Sequence, residues 1–394
     1  MLSPKEPVLP SNSFTASFDF QLRTQVVFGA GRIDELGTLA SQRGGKRVLV
    51  VSDPGIVEAG HVQRGLDSLS HAGLESVLFG EAHENPTTRN VEIGLGVAKD
   101  FQPDLIVGLG GGSSMDCAKG INFLLTNGGR IQDYWGVGKA GEPMLPFIAV
   151  PTTAGTGSEL QSFALISDEE THVKMACGDK KATAFCAILD PGLTLTQPSS
   201  VTALTGIDAI SHAVETMVTT RRTPASMTFS RQSFQWLALN FHRVLEEPGD
   251  IEARGAVQFA ASMAGLAIEN SMLGAAHALA NPLTANYDVP HGQAVGMMLP
   301  YVVRFNAREM ADSYLELERF LPEDLVGEAP GDRLALWIQQ TLRATGLATR
   351  LHELGVAAGK LPQLAAEANK QWTKGFNPVA VGESELFSLY QASF

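Results

Sequence analysis

Four side chains in the second half of the chain have the types and spacing for metal chemistry. In the stretch GIDAISHAVE, Asp208 and His212 stand four residues apart, a spacing that on a helix sets both on one face and lets them converge on one ion. Farther on, AAHALANPLTANYDVPHGQA supplies His277 and His291, fourteen residues apart with a proline-containing turn between them. One carboxylate and three imidazoles suit a divalent transition metal such as Fe(II) or Zn(II) better than a hard, oxygen-seeking ion. Each histidine alone is more often a packed structural side chain. It is the grouping that points to a metal.

Two loops in the first half suit a polar, anionic ligand. GLGGGSSMDCAKG, Gly108 to Gly120, follows the apolar run LIVGLG and continues as the helical pattern SSMDCAKGINFLL, whose first N–H groups would face an anion. Glycines at 110, 111 and 112 let backbone approach a pyrophosphate closely, and Ser113 or Ser114 is placed to cap the helix. In the usual dinucleotide signature the glycine turn comes first and an acidic residue follows about 20 positions later. Here the order is reversed, because Asp53, ending VLVVSD, precedes the glycines. A plain strand-to-helix turn would use the same residues. The second loop, PTTAGTGSE from Pro151 to Glu159, packs three threonines, a serine and two glycines after the apolar run PFIAV. Ligands of open parallel sheets bind at such strand ends, although a polar surface loop has the same composition.

The elements that must position these residues come in two textures. From Thr24 to about Pro191, the apolar runs QVVFG, RVLVV, SVLFG, LIVGLG and PFIAVP alternate with helical patterns, which predicts a βαβ domain with a mainly parallel sheet. After LDPGLT, long helix-compatible segments follow, among them ALTGIDAISHAVETMVTT, IEARGAVQFAASMAGLAIEN and GDRLALWIQQTLRATGL. The division expected is therefore an N-terminal arm over 1–23, an α/β domain over 24–195 and a helical domain over 196–394. There is no internal repeat. Trp135, Trp236 and Phe259 are expected in the core.

With 394 residues and 44% hydrophobic composition, the chain can bury two medium-sized cores. A net charge of −13 disfavours nucleic acid or an anionic membrane as partner, because phosphates repel such a surface. Three cysteines, Cys117, Cys177 and Cys186, form no paired framework or CxxC knuckle and are expected as reduced, buried thiols. The first residues lack the apolar core of a signal peptide and no 18 apolar residues run together, so a cytoplasmic protein is expected.

The order and separations of GGGSSMDCAK, PTTAGTGSE, GIDAISHAVE and HALANPLTANYDVPHG resemble the iron-containing (group III) alcohol dehydrogenases, relatives of lactaldehyde reductase and 1,3-propanediol dehydrogenase, from about Thr24 to the C-terminus. The resemblance implies a Rossmann-like dinucleotide domain followed by a helical metal-binding domain (a dehydroquinate synthase-like fold), with nicotinamide and metal in the cleft between them. It implies Asp208, His212, His277 and His291 as ligands of Fe(II), with Zn(II) as the other choice, and a homodimer acting on a small alcohol or aldehyde. Carried over by motif, Gly111, Gly112, Ser113 and Asp116 hold the pyrophosphate of NAD(H), and Thr152, Thr153 and Thr156 lie along the cofactor. Asn85 in ENPTT sits near the adenosine and Lys174 in THVKM reaches the nicotinamide ribose. A carboxylate at Asp53 accepts the 2′-hydroxyl and repels a 2′-phosphate, which implies NAD over NADP.

Two departures stand out. Many members have a histidine four residues after the third ligand, where this chain has Asn281. An amide cannot shuttle a proton by changing charge, and Asn281 is expected to contact substrate instead. Ile268 replaces a frequent phenylalanine, implying a roomier pocket. Other readings of the same site are a reductase of phosphonate- or carboxylate-bearing aldehydes, a hydroxyacid-oxoacid transhydrogenase, and a non-redox lyase like dehydroquinate synthase. The last needs several Lys and Arg groups, and segments 206–216 and 271–292 contain none.

Overall fold

The computed structural model describes residues 17–171 and 173–394, so most of the expected N-terminal arm lies outside the described residues. Two compact units emerge, one from Leu22–Thr202 with Glu247–Gly265, the other from Ala203–Glu246 and Leu266–Phe394 with the described residues up to Gln21. The sequence reading places a single boundary near residue 195; by packing, the 247–265 segment goes with the first unit.

The first unit is built on strands β1 (Gln25–Phe28), β2 (Arg47–Val51), β3 (Glu75–Phe79), β4 (Leu105–Gly110), β5 (Gly136–Val137), β6 (Phe147–Pro151), β7 (Phe163–Ser167), β8 (Lys174–Gly178) and β9 (Cys186–Leu189). Its helices are α1 (Leu36–Gln42), α2 (Pro54–Glu58), α3 (His61–His71), α4 (Thr88–Phe101) and α5 (Gly112–Asn127). Six strands pair in the order β1-β9-β6-β4-β2-β3, every pair parallel. The chain runs from β2 to β3 on one side and then to β4 on the other side of β2, so the topological switch point lies between β2 and β4. Ligands of open parallel sheets bind at such a point, beyond the strands' carboxyl ends.

The central strands are apolar on both faces because both are covered. Val48, Val50, Val107, Leu109, Ile148, Val150 and Ile188 share one fully buried cluster, each side chain contributing about 1.5–3 kcal/mol of burial. A smaller sheet, β5-β8-β7, includes the antiparallel pair β7 and β8. Neither it nor β9 is read from the sequence. The three cysteines are buried and free, and burial pushes the thiols of Cys117 and Cys177 up to about 12 and that of Cys186 to about 11. Trp135, expected in the core, is 51% exposed, because it lies in the short link between a 3-10 turn and β5. Trp236 and Phe259 are half-buried.

The second unit is helical: α6 (Ser199–Thr216), α7 (Pro224–Glu246), then, after α8 (Ile251–Glu269), α9 (Ala275–Tyr287), α10 (His291–Glu318), α11 (Asp332–Ala344), α12 (Leu361–Ala368) and α13 (Glu383–Ala392). Glycines set its closest contacts. A Cβ at Gly292 would lie 2.1 Å from the Leu204 carbonyl oxygen, and one at Gly296 would lie 2.2 Å from Ile207 Cγ2. The first turns of α10 thus press directly on α6. No helix among the described residues is long and apolar enough to cross a membrane.

Candidate active site

In the first unit, three neighbouring strands deliver the sequence-predicted nucleotide residues at their carboxyl ends. Asp53 follows β2, Gly111 and Gly112 follow β4, and Thr152, Thr153 and Thr156 follow β6, with Val51 paired to Gly108 and Gly110 to Pro151. The loops also meet through side chains. Ser114 Oγ donates to Asp53 Oδ2 at 2.9 Å, while Asp53 Oδ1 accepts from Ile56 N at 3.1 Å and caps α2. Gly110 has φ of 153°, a backbone that favours glycine, and a Cβ there would strike Ser114 Oγ at 2.4 Å. At Gly112 a Cβ would meet Thr156 Oγ1 at 2.7 Å, so the two loops approach closely only because of the glycines.

Neither serine caps α5 as expected. The N-cap is Gly111, which has no side-chain bond, leaving the helix N–H groups to an outside acceptor. Ser113 Oγ instead accepts from Asn85 N at 3.2 Å. Asn85 takes a left-handed conformation with φ of 52°, which asparagine tolerates, and its Oδ1 accepts from Lys174 Nζ at 3.0 Å. One hydrogen bond thus joins two residues that sequence reading assigns to different parts of the ligand.

Beneath the loops lies a buried cluster that sequence reading missed. Lys119, 1% exposed, donates to Ser158 O and Oγ, Gln161 O and Phe163 O at 2.7–3.0 Å. Ser158 Oγ in turn donates to Asp116 Oδ1 at 2.8 Å. Burial raises the Asp116 carboxyl above the usual carboxylate range, opposed by Lys119. Burial also raises Glu159, which accepts from Ser262. Lys119 ties the threonine loop to the helix that follows the glycine loop. It is the only Lys or Arg of that helix, and it lies between Ala118 and Gly120, which was the available signal.

In the second unit, α6 carries Asp208 and His212, α9 carries His277, and α10 opens on His291. The structure brings one ligand atom each of Asp208, His277 and His291 within 4.8 Å of one another. Asp208 Oδ1 lies 3.4 Å from His212 Nε2 and 3.8 Å from Nε2 of both His277 and His291. His212 stacks on His277 with ring centroids 5.0 Å apart. Asp208, His212 and His277 are buried, whereas the His291 side chain is 31% exposed. His277 Nε2 is buried without a hydrogen-bond partner among the described residues, a costly arrangement unless something accepts its lone pair, and this fits a metal.

His277 Nδ1 lies 2.5 Å from Glu215 Oε2, a residue inside GIDAISHAVE that sequence reading passed over. Its position three after His212 and seven after Asp208 puts it on the same helix face, which was the signal. One turn along α9 from His277, Asn281 Nδ2 donates to Gln371 Oε1 at 2.9 Å. Ile268 is buried, 4% exposed.

Comparison with known proteins covers both units. Residues 23–191 match the family "Iron-containing alcohol dehydrogenase" and residues 202–394 match "Fe-containing alcohol dehydrogenase family, C-terminal". The chain is 32% identical over 382 residues to the 1,3-propanediol dehydrogenase of Klebsiella pneumoniae, covering 96% of this chain and 99% of that one. It is 34% identical over 355 residues to the NAD-dependent methanol dehydrogenase of Bacillus methanolicus, covering 89% and 93%. A solved structure of 1,3-propanediol oxidoreductase superposes with a TM-score of 0.92 at 31% identity, over 96% of this chain and 100% of that one. Matched almost end to end in sequence and in backbone, the chain belongs to the iron-containing alcohol dehydrogenase family and is an NAD-dependent alcohol dehydrogenase of that type.

Proposed function

We propose that the protein interconverts a small alcohol and its aldehyde, with Asp208, His212, His277 and His291 holding a divalent metal, Fe(II) or alternatively Zn(II). The observation that carries this reading is the convergence of Asp208, His277 and His291 within 4.8 Å, with the buried His277 Nε2 aimed into it. When bound, the metal supplies Lewis-acid polarisation of the carbonyl or acidification of the alcohol, and NAD(H) carries the hydride. The chain's own residues do the rest.

Gly111, Gly112 and Ser113 bring the α5 N–H groups to the pyrophosphate, and Asp116 braces the loop through Ser158. Thr153 and Thr156 line the cofactor beside Thr152, whose buried hydroxyl has no partner among the described residues and so is suited to a ligand. Asn85 and Lys174, already bonded to each other, face one stretch of the cofactor. Asp53 keeps acceptor capacity for a ribose hydroxyl, since each carboxylate oxygen accepts more than one bond, and its charge rejects NADPH. Asn281, paired with Gln371, contacts substrate and leaves proton movement to a group other than a histidine at that position. The reading includes a cytoplasmic homodimer, supported by the net charge of −13 and by edge strand β1. A light-scattering mass twice that of the chain checks the dimer.

The test is oxidation of NADH, beside NADPH, by metal-stripped protein and by the same protein reloaded anaerobically with Fe(II) or Zn(II), across aliphatic, hydroxylated and acidic aldehydes. Metal-dependent turnover with NADH is expected. Binding of both NADH and metal without reduction of any aldehyde would overturn the reading.

A further inference from the structure

We infer that Glu215 is a positioning residue that fixes the tautomer and aim of His277 and thereby sets metal affinity, an inference that rests on the reading of His277 as a ligand. Glu215 is 3% exposed and accepts from three groups of the same short segment. Its Oε2 takes Gly274 N at 3.1 Å and faces His277 Nδ1 at 2.5 Å, and its Oε1 takes Ala276 N at 2.7 Å. Both Glu215 oxygens already act as acceptors of backbone N–H groups, so the carboxyl meets the ring as an acceptor of an Nδ1–H as well. The other ring nitrogen, Nε2, is then left for the metal, 3.8 Å from Asp208 Oδ1.

The local sequence makes Glu215 hard to replace. Gly274 is the N-cap of α9 and offers no side chain, and a Cβ there would meet Glu215 Oε1 at 3.0 Å and Asn377 Oδ1 at 3.1 Å. The segment's N–H groups are accordingly satisfied from outside: Glu215 takes residues 274 and 276, and Asn377 Oδ1 takes Ala275 N at 3.3 Å. Capping alone needs only the backbone contacts. The bond to Nδ1 is additional, and it links α6, which carries Asp208 and His212, to the imidazole on α9. One carboxylate thereby holds a ligand from each helix in register.

Glu215→Gln separates positioning from packing. Glutamine has nearly the same shape, but whichever way its amide turns, an NH2 group faces either His277 Nδ1–H or a backbone N–H. Metal affinity, measured by chelator competition on the full chain, is expected to fall about 10–100-fold. The Kd for NADH should not change, because the nucleotide residues belong to the other unit. In the wild-type metal-free protein, nitrogen-15 NMR of labelled histidine, assigned with His277→Ala, should show His277 protonated at Nδ1. Metal affinity of Glu215→Gln within twofold of wild type overturns the inference and leaves the proposed metal site standing. Should the variant not fold, the wild-type spectrum decides: an Nε2–H tautomer overturns the inference and an Nδ1–H tautomer supports it. Wild-type protein that binds no metal overturns the metal site itself.

Discussion

Replacing Gly292 by alanine tests how His291 is placed. The added Cβ would sit 2.1 Å from the Leu204 carbonyl oxygen, and Leu204 is one helical turn before Asp208 on α6. Non-bonded carbon and oxygen need at least about 3 Å, so the first turn of α10 must retreat by roughly 0.9 Å. His291 adjoins Gly292 and moves with it. Metal–ligand distances tolerate only about 0.2 Å, so a shift several times larger weakens or removes one of the four proposed ligands. Alanine gains about 1 kcal/mol of helix propensity over glycine, against about 1–3 kcal/mol for overpacking. The net loss of stability is therefore small, about 0–2 kcal/mol, while metal affinity falls at least about tenfold. Chelator competition and thermal melting on the same samples separate the two effects. Gly96→Ala is the control, because Gly96 lies exposed in α4 with nothing within 4 Å of a built Cβ, and it should leave metal binding unchanged. Wild-type metal affinity in Gly292→Ala would refute the argument that this glycine seats α10 against α6.

Asp53→Asn keeps an N-cap acceptor for Ile56 N but removes the charge. Like charges 4 Å apart repel by about 4 kcal/mol at an effective dielectric of 20, so removing the charge should raise the NADPH-to-NADH ratio of kcat/KM at least about tenfold; an unchanged ratio would show that Asp53 does not select the coenzyme. Glu159 gives a pH dependence. Its folded-state carboxyl is raised by burial, so its contribution to stability is fully present below the ordinary carboxylate range and lost as pH rises through the raised value. Glu159→Gln should therefore gain in Tm on wild type as pH rises above the ordinary carboxylate range, about pH 4, and a difference that stays constant with pH counts against it. Asn281→Ala should raise KM for the aldehyde and spare NADH binding; unchanged steady-state constants would remove Asn281 from the substrate site.

Much of this was legible in the sequence because it was local. RVLVV and LIVGLG match β2 and β4 residue for residue, as apolar runs between turn signals should. The Asp208–His212 spacing needed only helix geometry. What escaped depends on distant partners. The strand β8, KMACG, is short and rich in small residues, and it exists by pairing with β7 and β5. Ser114 looked like a cap because serine usually is one at a helix start, but the nearby Asp53 carboxylate competes for its hydroxyl. Lys119 reads as a surface lysine until the carbonyls of residues 158–163 fold over it.

The return of residues 247–265 to the sheet unit has a consequence for how the chain is made. Within that unit, Gly157 and Gly265 touch backbone to backbone, with the Gly157 oxygen 2.4 Å from where a Gly265 Cβ would be. In addition, Gln258 Nε2 donates to Pro151 O at 3.1 Å, and Phe259 packs edge-on against Phe28. None of these contacts exists until α8 has been synthesised. At about 5–20 residues per second, the 76 residues from Asp190 to Gly265 occupy the ribosome for roughly 4–15 s after the last strand has been synthesised. The sheet half therefore waits, incomplete, for a helix encoded inside the other half.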